Sequence, residues 1–238
     1  MKIALLGYGK MGKAIESIAV AQGHEIVIKK DDTSPFSYEG VDVAIDFSLP
    51  TVAVSHITAC LQNGVPVVSG TTGWLDQYDA MTALCKEKNG SFLYASNFSI
   101  GVNIFFEINK KLAQYIAPHA SYKVAMEEIH HTQKLDAPSG TAITLAEGII
   151  DAKGSYTNWQ NKDASFTPED HQSIPIVSKR EGTVPGTHII TYKNEIDTLQ
   201  IYHEAHSRMG FAQGALVAAL WLVDKKGVYS MADVLNIS

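Results

Sequence analysis

The sequence lacks the features of an exported or membrane-embedded protein. It contains two cysteines, Cys60 and Cys85, which form no CxxC pair and fall in segments with helical patterning. We expect them to be buried thiols in a reducing compartment, with no disulfide and no metal role. The chain opens on a strand-like run, residues 1–6, and not on a signal-peptide pattern. No apolar stretch approaches the roughly 20 residues of a bilayer span, so we expect a cytoplasmic protein with no membrane partner.

Positive charge is also scarce. The formal net charge is -6 at pH 7, and charged residues make up 18% of the 238 residues. Such a chain presents no basic field to a nucleic-acid backbone, so we expect no nucleic-acid partner. Internal repeats and low-complexity linkers are missing as well. The length suits one large domain or two small ones, and either can bury a sufficient core.

The first hundred residues alternate between strand and helix patterns. Residues 2–6 form a short apolar run that glycines interrupt, and residues 11–22 then show helical spacing. A second strand at 25–28 completes a β-α-β unit. The alternation continues with strands at 41–47, 65–69 and 91–95 and with helices at 52–63 and 75–88. The pattern predicts an α/β fold with a doubly wound parallel sheet.

The pattern changes beyond Asn97. Strand signals separated by turn residues favour antiparallel pairing in this part of the chain. The residues just before Pro175 are polar and rich in turn formers. A closing run is so apolar that it must form a buried helix, against the first domain or in a subunit contact. The expected elements are helices at 103–116, 141–151 and 212–223 and strands at 122–129, 176–179, 186–192 and 198–206.

Two domains follow from these patterns. The first comprises residues 1–98 and 209–238 and carries the parallel sheet, to which the C-terminal helix returns. The second, residues 99–208, is a smaller α+β domain with a mixed or antiparallel sheet. Because no linker is visible, the hinges must be short, near residues 96–101 and near Arg208.

A dinucleotide fingerprint lies between the first strand and the first helix. Its residues are Gly7, Tyr8, Gly9, Lys10, Met11 and Gly12. Gly7 permits the tight turn, Gly9 lets the backbone approach a pyrophosphate, and Gly12 lets the helix pack close to the strand. The helix N-terminus then offers free N–H groups to the phosphates. We therefore expect this segment to bind NADPH or NADH.

The residues after the second strand do not decide between these two cofactors. Lys29, Lys30, Asp31 and Asp32 lie about 20 residues after the fingerprint, where the ribose-reading group is expected. Asp31 would accept hydrogen bonds from the ribose hydroxyls of NADH. Lys29 or Lys30 would pair with the additional phosphate of NADPH, and any of the four could equally be a solvated surface charge. The cofactor is therefore NADPH, NADH or both.

Two further loops follow predicted strands at their carboxyl ends, the edge where open α/β sheets bind ligands. Small residues are common after strands, so the shared edge is what favours a cofactor role over an ordinary turn. The loop residues expected to contact the cofactor are Gly70, Thr71 and Thr72 in the first loop and Ala95, Ser96, Asn97 and Phe98 in the second.

The most informative segment runs from Glu127 to Ala142. His130, His131 and Lys134 follow one another closely at the end of a predicted strand. Pro138 then stiffens a loop, and Ser139-Gly140-Thr141 opens a helix in the manner of a cap. A helix start beside histidine and lysine suits a substrate with carboxylates, and these side chains can also exchange protons with it. Paired histidines can be simple surface groups, and without a third ligand they are poor evidence for zinc, so no metal is expected.

The run from His130 to Ala142 resembles the signature of dihydrodipicolinate reductases, and the resemblance extends over nearly the whole chain. It includes the fingerprint and several short motifs. The family usually has an acidic-then-basic pair after the second strand, whereas Asp31-Asp32 follow lysines here, and residues 156–172 do not match. The matching motifs are Asp46-Phe47-Ser48, Gly70-Thr71-Thr72-Gly73, residues 97–103, Arg180-Glu181-Gly182, Pro185-Gly186, residues 206–209 and residues 218–222.

The resemblance implies a Rossmann-type first domain and NAD(P)H-dependent reduction of 4-hydroxy-tetrahydrodipicolinate to tetrahydrodipicolinate with loss of water, in diaminopimelate and lysine biosynthesis. It implies that His130 is the proton donor or acceptor and that Lys134 is a proton donor. His131, with Ser139, Gly140 and Thr141 at the helix start, would bind the dicarboxylate substrate. The family is usually tetrameric through its sheet, which implies a homotetramer.

Two alternative functions stay open. The chain could be another two-domain dehydrogenase, for example one acting on an amino acid or a sugar, although the cluster from His130 to Thr141 argues against it. It could also be a regulator that senses the cofactor without catalysis. Such a protein has no need of proton donors beside an anion-binding helix start, and a turnover assay separates the two.

Overall fold

The chain folds as two units with separate cores, in a computed structural model that describes residues 1–31, 37–162, 172–207 and 209–237. The first unit comprises Met1–Asn103 and Met209–Ser238, and the second comprises Ile104–Arg208. The first boundary between the two units thus follows Asn103, whereas the sequence pattern placed it after residue 98. Asp32 and Arg208 lie outside the described residues, as do residues 163–171 of the polar stretch.

The first unit contains a six-stranded parallel sheet. Its central strands are short and almost wholly apolar, so both of their faces can be buried. The strand order is β11-β5-β4-β3-β1-β2, and every neighbouring pair is parallel. The strands are β1 (Lys2–Leu6), β2 (Glu25–Lys30), β3 (Val43–Asp46), β4 (Val67–Ser69), β5 (Ser91–Tyr94) and β11 (Gly227–Tyr229).

Helices cover both faces of this sheet, because successive strand residues point to opposite sides. Ile3 and Leu5 contribute to the core on one face, which α1 and α6 cover. Ala4 and Leu6 contribute to the core on the other face, which α2 and α3 cover. The helices are α1 (Lys10–Ala21), α2 (Pro50–Gln62), α3 (Tyr78–Glu87), α6 (Met209–Leu222) and α7 (Met231–Leu235), with a 3₁₀ turn at Leu75–Gln77.

The apolar helix α6 packs within the first unit, as the fold prediction had it. Ala212, Ala215 and Leu216 are buried in the core with α1. Gly214 allows the closest approach, since a Cβ there would lie 1.7 Å from the Phe98 carbonyl oxygen. Among the described residues, no helix combines the length and apolar character needed to cross a membrane.

The second unit contains a five-stranded mixed sheet in the order β10-β9-β6-β8-β7. Helices α4 and α5 supply Phe105, Ala113, Leu145 and Ile149 to a core that includes sheet residues such as Ile190. Helix α4 spans the junction between the units. The elements are α4 (Ile100–Ile116), β6 (Lys123–His130), α5 (Gly140–Lys153), β7 (Asn158–Lys162), β8 (Ser173–Arg180), β9 (Gly186–Lys193) and β10 (Thr198–Ala205).

The pairing in this sheet corrects one expectation. β9 pairs antiparallel with β6 and β10, as the turn residues predicted, but β8 runs parallel to β6 and β7. The reason is that α5 and β7 both lie between β6 and β8 in the chain, so β6 and β8 are joined by a crossover, and β8 does not form a hairpin with β9. Three short elements, β7, β11 and α7, also went unpredicted. This register places Arg180 beside His130.

Candidate active site

The fingerprint forms the turn between β1 and α1. Gly7 has a φ of +97°, and a Cβ there would lie 2.1 Å from the Phe47 carbonyl oxygen. A Cβ on Gly12 would lie 2.4 Å from the Gly7 carbonyl oxygen, whereas a Cβ on Gly9 would meet nothing within 4 Å. Gly7 and Gly12 are therefore required by packing, and Gly9 faces open space. Lys10 is exposed, and Met11 packs against the core.

A cleft of about 310 Å³ opens at the carboxyl edge of the sheet, where β1 lies between β2 and β3. Such an edge position is where parallel sheets hold nucleotides. Among its lining residues are three of the predicted fingerprint, Gly7, Tyr8 and Gly9, and the predicted acidic residue Asp31. The lining residues are Gly7, Tyr8, Gly9, Lys30, Asp31, Phe47, Ser48, Leu49, Val52 and His56.

The charged residues after β2 have different surroundings. The Asp31 carboxylate accepts a 2.5 Å hydrogen bond from the Tyr8 N–H and lines the cleft. Lys30 is buried and also lines the cleft. Lys29 instead pairs with Glu16 at 2.5 Å. An acidic and a basic residue, Asp31 and Lys30, therefore both line the cleft.

The buried carboxylate of Asp46 forms hydrogen bonds at the carboxyl ends of β3 and β4. It accepts hydrogen bonds from Ser48 Oγ (2.6 Å), Ser69 Oγ (2.9 Å) and Thr71 Oγ1 (2.8 Å). His56 Nδ1 lies 3.1 Å from the same carboxylate, and the ring lines the cleft. The side chain of Thr71 is thus turned inward. His56 was not predicted, because a lone histidine in an apolar helix gives no signal of its position.

The other predicted cofactor loops lie farther along the same edge. Gly70 packs against the Phe47 ring, since a Cβ there would lie 2.2 Å from it, and Thr72 is exposed. The Phe98 and Phe47 rings meet edge to face at 5.6 Å. Asn97 is buried and accepts the Ser99 N–H, while Ala95 is partly buried and Ser96 is exposed. The loops after β4 and β5 are therefore fixed, and their cofactor contacts remain a prediction.

The second site is built around Glu128, which is fully buried on β6. Its Oε1 accepts hydrogen bonds from the Ser139 N–H (3.1 Å) and from Arg180 Nη2 (3.1 Å). Its Oε2 lies 3.0 Å from His130 Nδ1, which is ion-pair distance, although the two atoms are not aligned as a hydrogen bond. Burial alone would raise the pKa of Glu128, but the contacts with His130, Ser139 and Ser178 hold it far below its usual range.

Arg180 connects Glu128 to the loop that follows β6. Its Nε donates to the Lys134 carbonyl oxygen (3.3 Å), and its Nη2 donates to the Asp136 carbonyl oxygen (2.6 Å). Because β8 runs beside β6, the Arg180 side chain reaches this loop directly. The same guanidinium thus holds the backbone of Lys134 and the carboxylate of Glu128.

Lys134 and His131 lie in that loop. The Lys134 ammonium donates to both oxygens of Asp136, at 2.8 and 2.7 Å, and holds the pKa of Asp136 below its usual range. His131 lines a cleft of about 360 Å³ in the second unit. The remaining lining residues are Thr132, Gln133, Gly182, Thr183 and Pro185.

Helix α5 begins at the predicted Ser-Gly-Thr segment. Ser139 is buried and caps the helix, since its Oγ accepts the Ala142 N–H at 3.2 Å. The same oxygen lies 3.2 Å from His188 Nε2. Gly140 follows with open space where a Cβ would be, so an anion can approach the first N–H groups of the helix beside Thr141.

His188 on β9 completes the buried cluster. Its ring lies 5.2 Å from that of His130, centroid to centroid. Burial, with a smaller effect of His130, lowers the pKa of His188 to about 3, so it is neutral at pH 7. Glu128 and His188 were not predicted as site residues, since both occupy ordinary alternating positions of strand patterns.

Glu128, His130 and His188 each place one possible ligand atom within 4.8 Å of the others. Ligand atoms of a tetrahedral zinc site lie roughly 2 Å from the metal and therefore close to one another. Here one Glu128 oxygen already accepts from Ser139 and Arg180.

We predict that Gly9→Ala weakens cofactor binding by about tenfold, or roughly 1.4 kcal/mol, and leaves the free energy of unfolding unchanged. The methyl group would project into the open space beside the turn. Gly12→Ala should instead lower the free energy of unfolding by about 1–3 kcal/mol through overpacking. NADH fluorescence titration and urea unfolding separate the two effects, and wild-type affinity in Gly9→Ala would contradict this role for the turn.

We also predict that His188 makes stability depend on pH. Its folded-state pKa lies below the unfolded value of 6.5, so the unfolded chain binds the proton first and stability falls as the pH drops from about 6.5 towards 3. At pH 5 the loss is about 2 kcal/mol relative to pH 7.5. Urea unfolding at both pH values should show a loss smaller by that amount in His188→Gln. An unchanged loss would refute the prediction, and His119→Gln, at an exposed position, is the control.

Comparisons with known proteins agree over both units. Residues 1–98 match the family model for the N-terminus of dihydrodipicolinate reductase, and residues 101–235 match that for its C-terminus. A 4-hydroxy-tetrahydrodipicolinate reductase of Christiangramia forsetii is 52% identical over 239 residues, covering 99% of this chain and 98% of the relative. One from Neisseria gonorrhoeae is 36% identical, covering 83% of this chain and 73% of the relative.

Solved structures agree as well. Dipicolinate-bound dihydrodipicolinate reductase from Paenisporosarcina sp. TG-14 superposes with a TM-score of 0.77 at 26% identity, covering all of this chain and 99% of that one. A probable dehydrogenase from Thermotoga maritima, at 10% identity, shares the fold with a TM-score of 0.57, covering 98% and 92% of the two chains. The chain belongs to the dihydrodipicolinate reductase family.

Proposed function

We propose that this protein reduces 4-hydroxy-tetrahydrodipicolinate to tetrahydrodipicolinate, on the route to diaminopimelate and lysine. A nicotinamide cofactor supplies a hydride, one proton is taken up, and the substrate hydroxyl leaves as water, so the reaction balances. The observation that carries this proposal is the cluster in the second unit. It combines proton-carrying side chains with a helix start that is open to an anion.

The substrate is a dicarboxylate, for which the helix start of α5 is suited. Gly140 offers its N–H beside open space, and Thr141 adds a hydroxyl to the same turn. Ser139 keeps this turn in place through its cap. His131 lines a cleft of its own in the same unit and would supply a further contact to the substrate. The dipicolinate bound to the Paenisporosarcina reductase is a dicarboxylate of the same kind.

Lys134 and His130 are the proposed proton carriers. The Lys134 ammonium is held by Asp136 and can donate as the hydride reaches the adjacent ring carbon. His130 is buried beside Glu128, so its ring orientation is restricted. Holding the reacting groups before transfer removes part of the entropic barrier.

The cofactor cleft favours NADH over NADPH. The Asp31 carboxylate lines the cleft, where it would accept from the ribose hydroxyls and repel the additional phosphate of NADPH. Lys30 lines the same cleft and offsets part of this repulsion. We therefore propose NADH as the preferred cofactor and NADPH as a usable second one.

A cofactor-sensing regulator is the main alternative. It would bind NADH in the first unit and have no turnover. The buried charge at Glu128 and the paired Lys134 and Asp136 have no purpose in such a protein. They therefore favour catalysis over sensing.

We further propose a homotetramer formed through the open face of the second sheet. Strand alternation directs apolar side chains away from the α4–α5 core, and several are partly exposed. Apolar patches of this kind mark association sites. The cytoplasm is the proposed location, in agreement with two free thiols in the structure. The apolar residues of this face are Ala125, Ile129, Pro175, Val177, Ile189 and Tyr202.

The test of the activity is oxidation of NADH and NADPH at 340 nm with freshly made 4-hydroxy-tetrahydrodipicolinate. We expect turnover that depends on the substrate, with the lower KM for NADH. Lys134→Ala should reduce kcat by about 10² to 10⁴-fold, because it removes the proton donor. Lys162→Ala, a lysine of β7, is the matched control.

Two outcomes would contradict these proposals. If both cofactors bind and neither is oxidised, the sensing alternative replaces the reductase. If Lys134→Ala retains wild-type kcat, Lys134 is not the proton donor. A lower KM for NADPH would reverse the proposed cofactor preference without affecting the reaction.

The assembly predicts a particle mass near four times the 25.9 kDa of one chain. Ile189→Lys should lower that mass, because it places a charge on the apolar face. Ile196→Lys, at a position that is 90% exposed between β9 and β10, should leave it unchanged. Light scattering on the purified proteins measures all three, and a monomeric wild type would refute the tetramer.

A further inference from the structure

Glu128 connects three separate parts of the second unit through one buried carboxylate. His130 belongs to the same strand, Ser139 caps the start of α5, and Arg180 ends β8. The three contacts measure 3.0, 3.1 and 3.1 Å. The carboxylate itself has no exposed surface. A shift of any of these elements would therefore break a contact to a buried charge.

The two oxygens of the carboxylate contact different groups. Oε2 faces the His130 ring, while Oε1 faces the Ser139 N–H and the Arg180 guanidinium. The Oε1 side therefore requires an acceptor, and the Oε2 side lies at ion-pair distance from the His130 ring. A buried charge costs several kcal/mol unless such partners compensate it, and Arg180 supplies the opposite charge.

We propose that Glu128 is a positioning residue for the reaction. It fixes the His130 ring and the anion-binding start of α5 in one constant relation, with Arg180 as its countercharge. Glu128 acts through these groups and does not itself touch the substrate. This inference rests on the proposed reductase function, and it assigns a task to the carboxylate that contacts both the proton carrier His130 and the helix start at Ser139.

Glutamine cannot replace Glu128, although it has nearly the same shape. One end of its amide is an NH₂ group, which can only donate. If the NH₂ faces Ser139 and Arg180, donors meet donors. If it faces His130, it imposes on the ring the tautomer whose Nδ1 is an acceptor. A change of histidine tautomer at constant geometry can cost orders of magnitude in rate.

The substitution Glu128→Asp distinguishes a positioning role of Glu128 from a role of its charge alone. It keeps the negative charge for Arg180 but is shorter by one methylene, so it cannot reach His130 and Ser139 together. If Glu128 served only to neutralise Arg180, Glu128→Asp would behave as wild type. If Glu128 positions the site, Glu128→Asp must lose activity.

The experiment compares Glu128→Gln and Glu128→Asp with Glu147→Gln, an exposed glutamate on α5, as the control. We expect kcat to fall by about 100-fold or more in Glu128→Gln and by about 10 to 100-fold in Glu128→Asp. The KM for NADH should stay within about twofold, because the cofactor cleft lies in the first unit. The solvent deuterium isotope effect on kcat should rise in both variants, since proton transfer becomes slower.

A role in folding alone predicts different results. It would lower the fraction of active enzyme and leave the isotope effect at the wild-type value. An unchanged isotope effect, or wild-type kcat in Glu128→Asp, would overturn the proposal. If Glu128→Gln does not fold, Glu128→Asp still gives the decision.

Dipicolinate binding provides a readout that does not depend on turnover. Calorimetry should show weaker binding to Glu128→Asp than to Glu147→Gln, because the start of α5 is no longer held. Equal binding would overturn the part of the proposal that concerns α5. A wild-type protein that binds dipicolinate but oxidises no cofactor would instead refute the reductase function, so the two failures are distinct.

Discussion

Each unit depends on one fully buried carboxylate in the last residues of a strand, Asp46 on β3 and Glu128 on β6. Removing such a charge from water costs several kcal/mol unless hydrogen bonds and opposite charges replace the lost hydration. Both carboxylates meet this requirement with groups from neighbouring segments. Breaking any one contact would leave the buried charge without a partner, and this energetic penalty keeps those segments in contact.

The two carboxylates fix different parts of the site. Around Asp46, the hydroxyls of Ser48 and Thr71 tie the loops after β3 and β4 to the cofactor edge of the sheet. Around Glu128, Ser139 and Arg180 tie the start of α5 and the end of β8 to the strand that bears His130. Binding sites on segments held in this way need little reorganisation when the ligand arrives.

The sequence was most informative where the signal is local. The alternation of short apolar runs and helical spacing predicted the parallel sheet, and the spacing of Gly7, Gly9 and Gly12 predicted the turn at its edge. Contacts between distant residues gave no such signal. Glu128 reads as one position of an alternating strand, and its role depends on Arg180, 52 residues further on.

Pairing direction and short elements escaped prediction for related reasons. Turn residues indicated antiparallel partners, but β8 is parallel because a helix separates it from β6. β11 has three residues, and it pairs at the edge of the sheet with β5, more than 130 residues earlier. Neither feature is encoded within a window of ten residues. Tertiary contacts likewise decide that Lys29 pairs with Glu16 whereas Asp31 lines the cleft.

The fold alone would not assign the chemistry, since dehydrogenases with very low sequence identity share it. Binding a nucleotide requires the glycine turn and the edge of the first sheet. It does not require a neutral histidine, His188, and a charged carboxylate, Glu128, to be buried within 4.8 Å of each other in the second unit. The burial of His188 opposes folding below pH 6.5, and the burial of Glu128 opposes folding whenever one of its partners is lost. Groups kept at such a cost beside an open helix start favour the proposed catalytic role over nucleotide sensing.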